Sequence, residues 1–469
     1  MTTLSAQSQS SATPPSAAPS NKNKTTFKVE NGLPIVGEML SFARDPLAHM
    51  LRMRQSADLV QSRAFSDVFY HVNHPDLIEA VLVTHNSHFR KDKSLREGGR
   101  PIFGNGLLTS DGDFWLRQRR LASPAFHRQR IAAYGDVIVN YTDRMVKSWQ
   151  DGETRDLHED MMHLTLEVVA KCLFNTEATE QALVIGRALN HIMRKWNNQG
   201  FGQVIEGVIG RPLPTQAHRD YLAAIQQLDQ IIYGIINERR KTHDDRGDLM
   251  SMFLEAQDED GKQMSDQQLR DECMTMFIAG HETTALALSW TWHELSKQPA
   301  VVAKLQDELQ RVLNGRLPSL SDLPHLSTTT FIITETMRLR PPAWAISREA
   351  LSDVEIGGHV IPKGSEVIMS QYAMHRDPRY FADPDVFKPE RWENDFAKTL
   401  PKYAYFPFGG GPRQCIGQQF AMMEAVLMLA TLAQKFSFEL VPNQRIEPQP
   451  SITMRPKYGL KMILHSVKP

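Results

Sequence analysis

Hydrophobic residues recur at helical spacing along most of the chain between about residues 75 and 313. Apolar positions three and four apart predict amphipathic helices, whereas strict alternation predicts strands. The predicted helices cover about 76–85, 114–121, 131–149, 159–174, 221–240, 265–298 and 416–436. Alternation predicts short strands around 68–72, between 353 and 369, and after the last helix. Helices should therefore dominate the fold.

The stretch 265–298 predicts the longest helix. Ser265 and Gln268 have the spacing of a capping box, Met264 and Leu269 that of a hydrophobic staple, and Pro299 provides a stop. With a rise of 1.5 Å per residue, this helix would be about 50 Å long. We expect a helix of that length to cross the core of a domain.

The chain shows no internal repeat and no break in composition over 33–466, so we predict one large domain. Its fold class should be mainly α with a small β lobe. Residues 1–26 are rich in Ser, Thr, Ala and Pro and contain no acidic residue and no apolar run. We interpret them as a disordered tail before a domain over 27–469. A transit peptide is the alternative, but this segment lacks arginine and an amphipathic period.

The composition is that of an ordinary folded protein, with 41% hydrophobic and 23% charged residues. A net charge of −1 gives no overall attraction to nucleic acid, and no apolar run is long enough to predict a membrane span. Cys172, Cys273 and Cys415 form no C-x-x-C pair. We therefore expect a cytoplasmic protein, with no nucleic-acid partner and no disulfide framework.

A glycine-rich segment, Phe408-Gly-Gly-Gly-Pro-Arg-Gln-Cys-Ile-Gly417, ends directly before the last predicted helix. Glycines allow the backbone to approach a ligand closely, and a helix N-terminus lowers the pKa of a thiol. Cys415 is therefore a candidate metal ligand. Arg413 could pair with a carboxylate, and Phe408 could shield the sulfur from water. Cys172 and Cys273 lie in apolar helices and are expected to be inert, buried thiols.

This segment matches F-x-x-G-x-R-x-C-x-G, the haem-binding signature of the cytochrome P-450 superfamily, at Phe408, Gly411, Arg413, Cys415 and Gly417. The chain resembles that superfamily from about residue 33 to its end. The resemblance implies haem b between the long helix and the cysteine loop, with Cys415 as the axial iron ligand. It also implies a monooxygenase that activates O2 and hydroxylates or epoxidises an apolar organic substrate.

Glu335 and Arg338 lie three residues apart on a predicted helix, a spacing that alone is weak evidence of function. In the superfamily this E-x-x-R pair meets a later arginine in a buried network. Arg391, in the segment Pro389-Glu-Arg-Trp392, occupies the matching place. The resemblance implies that these three residues hold the cysteine loop in position.

The segment Ala279-Gly-His-Glu-Thr-Thr284 interrupts the long helix with poor helix formers. Harmless packing of a threonine pair is one interpretation. The resemblance implies another, in which Glu282 is the acid and Thr283 the alcohol that deliver two protons to the distal oxygen. We interpret His281 as a polar neighbour and not as an iron ligand.

Trp115 and Arg119 lie four residues apart, so their N–H donors share one helical face and suit an anion. A surface cation–π pair is the alternative. The resemblance implies that both bind a haem propionate, as does Arg348 in the strand after Pro341-Pro342. By position, the substrate contacts should be Ala279, Gly280, Thr283, Ala343, Ile346 and Ile452, together with the segment 103–108.

The sequence does not identify the substrate, so fatty acids, terpenoids and polyketide-like compounds all stay open. No flavin-binding or iron–sulfur segment is evident, and we expect a monomer that takes electrons from a separate ferredoxin or flavodoxin with its reductase. The basic residues that could dock this partner are Arg117, Arg120, Arg128 and Arg130, although they could equally form a solvated basic face. The alternative functions are a peroxide-driven peroxygenase, which the Glu282-Thr283 pair disfavours, and a non-catalytic gas or redox sensor.

Overall fold

The computed structural model describes residues 25–127, 131–175, 188, 192, 215–242 and 244–467. Fifteen α-helices occur in this part of the chain, with short 3-10 and π-helical turns between them. The helices are α1 (Met39–Arg44), α2 (Pro46–Ser56), α3 (Pro75–Glu79), α4 (Arg100–Phe103), α5 (Gly112–Ala122), α6 (Gly135–Val146), α7 (Leu157–Phe174), α8 (Gln216–Thr242), α9 (Leu249–Glu255), α10 (Asp266–Leu295), α11 (Pro299–Leu313), α12 (Ser327–Leu339), α13 (Gln371–Met374), α14 (Phe396–Thr399) and α15 (Gln418–Ala433).

Thirteen short strands complete the described part of the fold. They are β1 (Phe27–Glu30), β2 (Leu59–Ala64), β3 (Asp67–Val72), β4 (Phe89–Lys91), β5 (Thr154–Asp156), β6 (Ile346–Ala350), β7 (Val354–Ile356), β8 (His359–Ile361), β9 (Glu366–Met369), β10 (Phe436–Leu440), β11 (Pro448–Pro450), β12 (Met454–Pro456) and β13 (Lys461–Ser466). Six of them form one sheet in the order β1-β2-β3-β9-β6-β4. The antiparallel β4–β6 pair sets Lys91 opposite Arg348.

Helix α10 confirms the predicted long helix. The Ser265 side chain accepts from the Gln268 N–H and the Gln268 side chain accepts from the Ser265 N–H, so both halves of the capping box form. Met264 and Leu269 are buried, and Pro299 begins the next helix. Residues on nearly all faces of α10 are buried, because α7, α8, α12 and α15 pack around it. The helix therefore runs through the core.

Two large hydrophobic clusters meet along α10, and a third fills the space beside the six-stranded sheet. The first joins α6, α7, α12 and α15 to the second half of α10. The second joins α4, α5, α8 and α9 to its first half. This arrangement confirms the predicted single, mainly α domain with a small β lobe.

Most predicted elements are present, with shifted ends. The predicted helix over 76–85 is α3 followed by a π-helical turn, Ala80–Thr84. Residues 1–24 of the expected tail lie outside the described residues, while Thr25 and Thr26 hydrogen-bond to Gly357 and Asp58. Among the residues that the structure describes, no helix is long and apolar enough to cross a membrane.

Candidate active site

A cavity of about 360 Å³ lies between α10 and the cysteine loop, residues 408–417. The side chain of Cys415 faces this cavity. Most of the other side chains that line the cavity are apolar, among them Leu108, Val169, Leu173, Leu249 and Met276. The cavity can hold an apolar molecule beside a reactive sulfur ligand.

Glycines give the cysteine loop its shape. Gly409 and Gly411 have φ values of +68° and +64°, which L side chains rarely adopt. A Cβ atom at Gly411 would lie 1.9 Å from the carbonyl oxygen of Leu82, and one at Gly410 would lie 2.2 Å from the ring of Tyr403. The Cys415 N–H donates to the carbonyl of Phe408 at 3.0 Å and closes the loop. Larger residues at these positions would displace the sulfur.

The surroundings of Cys415 act on its thiol in opposite directions. Burial raises the pKa of the free thiol, whereas the N–H of Gly417 and the charge of Arg119 lower it. In the free thiol burial has the larger effect, so the pKa lies above its ordinary value. A bound metal ion favours the thiolate strongly.

Several cations face one end of the cavity. Arg413 donates to the carbonyl of Ser110 at 2.7 Å and to the carboxylate of Asp111. Its guanidinium lies 4.0 Å from the centre of the Trp115 ring, and Trp115 is buried, so this ring does not lie on the surface. Arg348 is also buried and lines the cavity.

Lys91 and Gln371 are two cavity residues that the sequence analysis missed. Burial lowers the pKa of Lys91 to about 7, and the charges of Arg348 and Arg413 act in the same direction. Gln371 is fully buried, and neither polar atom of its side chain has a hydrogen-bond partner among the described residues. Neither residue belongs to a sequence motif; the pairing of β4 with β6 would have pointed to Lys91.

These residues fit a haem. Cys415 can hold the iron, and Lys91, Arg348 and Arg413 can hold its carboxylates, with Trp115 packed against them. Lys91, Arg348 and Arg413 repel one another, and a haem carboxylate beside them would offset this repulsion. Arg119 lies half-buried close enough to Cys415 for their charges to interact.

Helix α10 presents Ala279, Gly280 and Thr283 to the cavity, as the sequence predicts. The Thr283 hydroxyl donates to the carbonyl of Ala279 at 2.8 Å. A Cβ atom at Gly280 would lie 3.2 Å from Val169, so the glycine lets α7 and α10 pack closely. Ala343, Ile346 and Leu108 line the same cavity. The position of Ile452 differs, since it lies outside the described cavity lining, next to Ser451, whose carbonyl accepts from Trp344.

Glu282 points away from the cavity lining and is buried against the C-terminal strands. Its carboxylate accepts from the Thr453 hydroxyl at 2.6 Å and from Arg455. Burial alone would raise the pKa of this carboxyl, but Arg455 and the two hydrogen bonds outweigh it, and the pKa is lowered. Burial lowers the pKa of the neighbouring His281 to about 4, which leaves this histidine neutral at pH 7.

The structure brings Glu335, Arg338 and Arg391 together in a buried network. Arg338 donates to both carboxylate oxygens of Glu335 at 2.9 Å, and the Nε of Arg391 lies 3.5 Å from one of them. Trp392 Nε1 donates to the same carboxylate at 2.9 Å, a contact that the sequence analysis missed. Arg338 also donates to the carbonyl of His375. The Nε2 of His375 accepts from the N–H of Phe406 at 2.9 Å, so the network reaches a residue that lies two positions before the cysteine loop.

Cys172 and Cys273 are buried free thiols, as expected, and two basic residues of the predicted docking cluster are paired with carboxylates. Cys172 is buried, and burial raises its pKa well above the usual range, but it also lines the cavity. Burial likewise raises the pKa of Cys273. Arg117 and Arg120 are paired with Asp258 and Glu259 at 2.6 and 2.7 Å. The remaining two arginines of the predicted docking cluster, at 128 and 130, lie outside the described residues.

Comparison with known proteins shows the family. The model of the family described as cytochrome P-450 matches residues 28–463. Cyclooctatin synthase of Streptomyces melanosporofaciens is 38% identical over 90% of this chain and 92% of its own length. Cyclooctat-9-en-7-ol 5-monooxygenase of the same organism is 34% identical over 91% and 93%. Pentalenene oxygenase of Streptomyces avermitilis is 34% identical over 89% and 92%.

The fold has the same relatives. The crystal structure of the cytochrome P450DA haem domain is similar to this chain with a TM-score of 0.83 and 27% sequence identity. The likeness covers 95% of this chain and 99% of that one. Together with the cysteine loop and its cavity, these likenesses show that the chain belongs to the cytochrome P-450 family of haem-thiolate monooxygenases.

Proposed function

We propose that this enzyme hydroxylates or epoxidises a terpenoid hydrocarbon or alcohol, with haem b as its cofactor. The observation that carries the proposal is the apolar cavity over Cys415. When bound, the haem supplies the binding and reductive activation of O2. Cys415 would hold the iron, and Lys91, Arg348 and Arg413, which line the same cavity, would hold the carboxylates.

The terpenoid substrate class rests on the cavity and on the relatives together. The names of three relatives refer to cyclooctatin, cyclooctat-9-en-7-ol and pentalenene. The side chains of Leu108, Val169, Leu173 and Met276 offer an apolar wall without a charged group, which suits a carbon skeleton with few polar atoms. Ala279, Gly280, Ala343 and Ile346, none of which is charged, line the same cavity as Cys415.

Proton delivery is assigned to Thr283 and Glu282. The Thr283 hydroxyl faces the cavity while its hydrogen is held by the carbonyl of Ala279, so its oxygen can accept a hydrogen bond from water or substrate. Glu282 has to turn from Arg455 toward the cavity to supply a proton.

The electrons are proposed to come from a separate ferredoxin or flavodoxin. Arg117 and Arg120 are partly neutralised by Asp258 and Glu259, but an acidic partner could compete for the exposed pair of Arg120. All three cysteines are free thiols, which supports the cytoplasm as the compartment. If turnover with purified ferredoxin did not depend on ionic strength, electrostatic docking would be wrong.

The test is turnover of the purified holoenzyme with NADPH, a ferredoxin, its reductase and ¹⁸O-labelled O2. Candidate terpenes and terpene alcohols are first ranked by the type I spectral shift that they cause. The proposal expects one labelled oxygen atom per product molecule, with formation dependent on the ferredoxin. Product formed with hydrogen peroxide but not with NADPH, ferredoxin and its reductase would instead indicate a peroxygenase. Spectral shifts without product under either condition would indicate a sensor.

A further inference from the structure

We propose that Asp271 and Glu272 are positioning residues that fix a loop over the cavity and so control how the substrate approaches the iron. The loop, residues 102–109, is called the roof loop. It comprises the last two residues of α4 and the first six residues of the connection to α5, and Leu108 lines the cavity. The inference rests on the proposed function for its effect on substrate, but the fixing of the loop can be measured without turnover.

Three hydrogen bonds tie the roof loop to the first turns of α10. Asp271 Oδ2 accepts from the N–H of Asn105 at 2.8 Å. Glu272 Oε2 accepts from the N–H of Leu107 at 3.0 Å. In the opposite direction, Arg270 Nη1 donates to the carbonyl of Ile102 at 2.7 Å. Arg270, Asp271 and Glu272 are consecutive on α10, and each of them therefore binds a different residue of the roof loop.

Two glycines allow this close approach. A Cβ atom at Gly104, whose φ is +54°, would lie 2.0 Å from Oδ1 of Asp271. One at Gly106 would lie 2.4 Å from the hydroxyl of Thr275 and 2.7 Å from the carbonyl of Asp271. The loop thus lies directly on the helix surface, and a side chain at either position would lift it.

The carboxylates that make these contacts are almost fully buried, with 4% of Asp271 and 1% of Glu272 exposed. Burial raises the pKa of Glu272 to about 8, against the effect of the Leu107 N–H. A protonated carboxyl still offers a carbonyl oxygen to that N–H. The contact therefore needs an acceptor atom and not a charge, so glutamine can replace Glu272 while an apolar residue cannot.

The spacing along α10 connects this contact to the reaction site. Glu272, Met276, Ala279 and Thr283 recur at intervals of four, three and four residues and share one helical face. The last three line the cavity, as does Leu108 beside the bonded Leu107. The same face of α10 thus carries the residues near the sulfur and the residue that holds the roof loop.

The first test measures hydrogen–deuterium exchange of the backbone amides in the holoenzyme. We expect E272M to speed exchange in the peptide over 103–109 by about tenfold, the equivalent of one lost hydrogen bond, and E272Q to leave it unchanged. E167M is the matched control, since Glu167 is a buried carboxylate on α7 that binds Arg144 instead. It should leave the roof loop unchanged.

The second test uses azoles that bind the iron, with G106A as an independent variant. We expect E272M and G106A to weaken binding of 4-phenylimidazole by about tenfold, through lost apolar contact, and to leave imidazole unchanged. The proposal would be overturned if a folded E272M or G106A variant showed wild-type exchange over 103–109 and wild-type affinity for 4-phenylimidazole. Faster exchange along all of α10 would overturn it too, because it indicates general destabilisation. A wild-type protein without a thiolate-type carbon monoxide spectrum would contradict the proposed function. The hydrogen–deuterium exchange measurement would still test whether Glu272 fixes the roof loop.

Discussion

Glu282 and Arg455 form a buried ion pair, although 173 residues separate them along the chain. The pair joins the centre of α10 to β12 and turns the carboxylate away from the cavity. The residue that the sequence nominates as the acid is therefore held in a resting position by a strand near the C-terminus.

Replacing Arg455 by methionine should lower the free energy of unfolding by about 3–5 kcal/mol, because it leaves a buried carboxylate without its partner. Chemical denaturation of the wild type and R455M would measure the loss. R445M is the matched control, since Arg445 pairs with Glu447 at the surface, and its stability should equal that of the wild type. Equal stability of R455M and R445M would contradict the ion pair.

The same pair predicts a pH dependence. Arg455 holds the pKa of Glu282 in the folded protein below its ordinary value of 4.5. The unfolded chain then binds this proton more readily, so the contribution of the pair to stability is present above pH 4.5 and is lost as the pH falls through the lower folded pKa. Urea denaturation would be measured between pH 6 and pH 3 at intervals of about one pH unit. The free energy of unfolding should fall over this range in the wild type and fall less in E282Q. Identical pH dependence of stability in the wild type and E282Q would contradict the predicted contribution of the Glu282–Arg455 pair.

Glu335→Ala should reduce haem retention and cost about 3–5 kcal/mol, because Arg338, Arg391 and Trp392 lose their shared acceptor. Haem content after purification and thermal unfolding would measure both effects. Glu390→Ala is the control, since this neighbouring carboxylate pairs only with Lys304 among the contacts described for its side chain. Full haem content in the Glu335 variant would refute the role of the network.

Lys91→Met should stabilise the apoprotein at pH 7 and weaken haem retention. In the folded apoprotein the pKa of Lys91 is lowered from 10.5 to about 7, so between these values the unfolded state binds more protons. Apoprotein stability should then rise with pH across this window, and K91M should flatten that rise. Transfer of haem to apomyoglobin should be about tenfold faster from K91M, as expected for one lost charge-assisted hydrogen bond. Lys93→Met, at an exposed position nearby, should behave like the wild type.

Thr283→Ala should uncouple electron consumption from product formation. Without the cavity-facing hydroxyl, protons must come from water alone. The ratio of product to NADPH consumed should then fall about tenfold. Thr283→Ser keeps a hydroxyl at the same place and should keep most of the coupling. The amounts of product and hydrogen peroxide per NADPH would be compared. Equal ratios in the wild type and both variants would exclude a role for this hydroxyl.

Local features of the fold were predictable because they depend on neighbours in the sequence. The capping box of Ser265 and Gln268 and the stop at Pro299 define α10 from both ends. The spacing of Phe408, Gly411, Arg413 and Cys415 identifies the cysteine loop in the same way. The glycine conformations observed there follow from that local pattern.

Contacts between distant segments were not predictable from the sequence. The partner of Glu282 lies on β12, and the place of Lys91 depends on the pairing of β4 with β6. Trp392 joins Glu335 only because the segment after α13 folds back onto α12. Helical spacing predicted that Trp115 lies beside Arg119. Tertiary packing, which the spacing does not reveal, places Arg413 over the Trp115 ring.

All of these proposals depend on the sulfur of Cys415 binding the haem iron as a thiolate. The carbon monoxide difference spectrum of the reduced, haem-loaded protein measures this ligation directly. We expect a Soret band at the long wavelength typical of thiolate-ligated haem in the wild type, and loss of that band in Cys415→Ser. A folded, haem-loaded wild-type protein without the band, or a serine variant that keeps it, would contradict the claim.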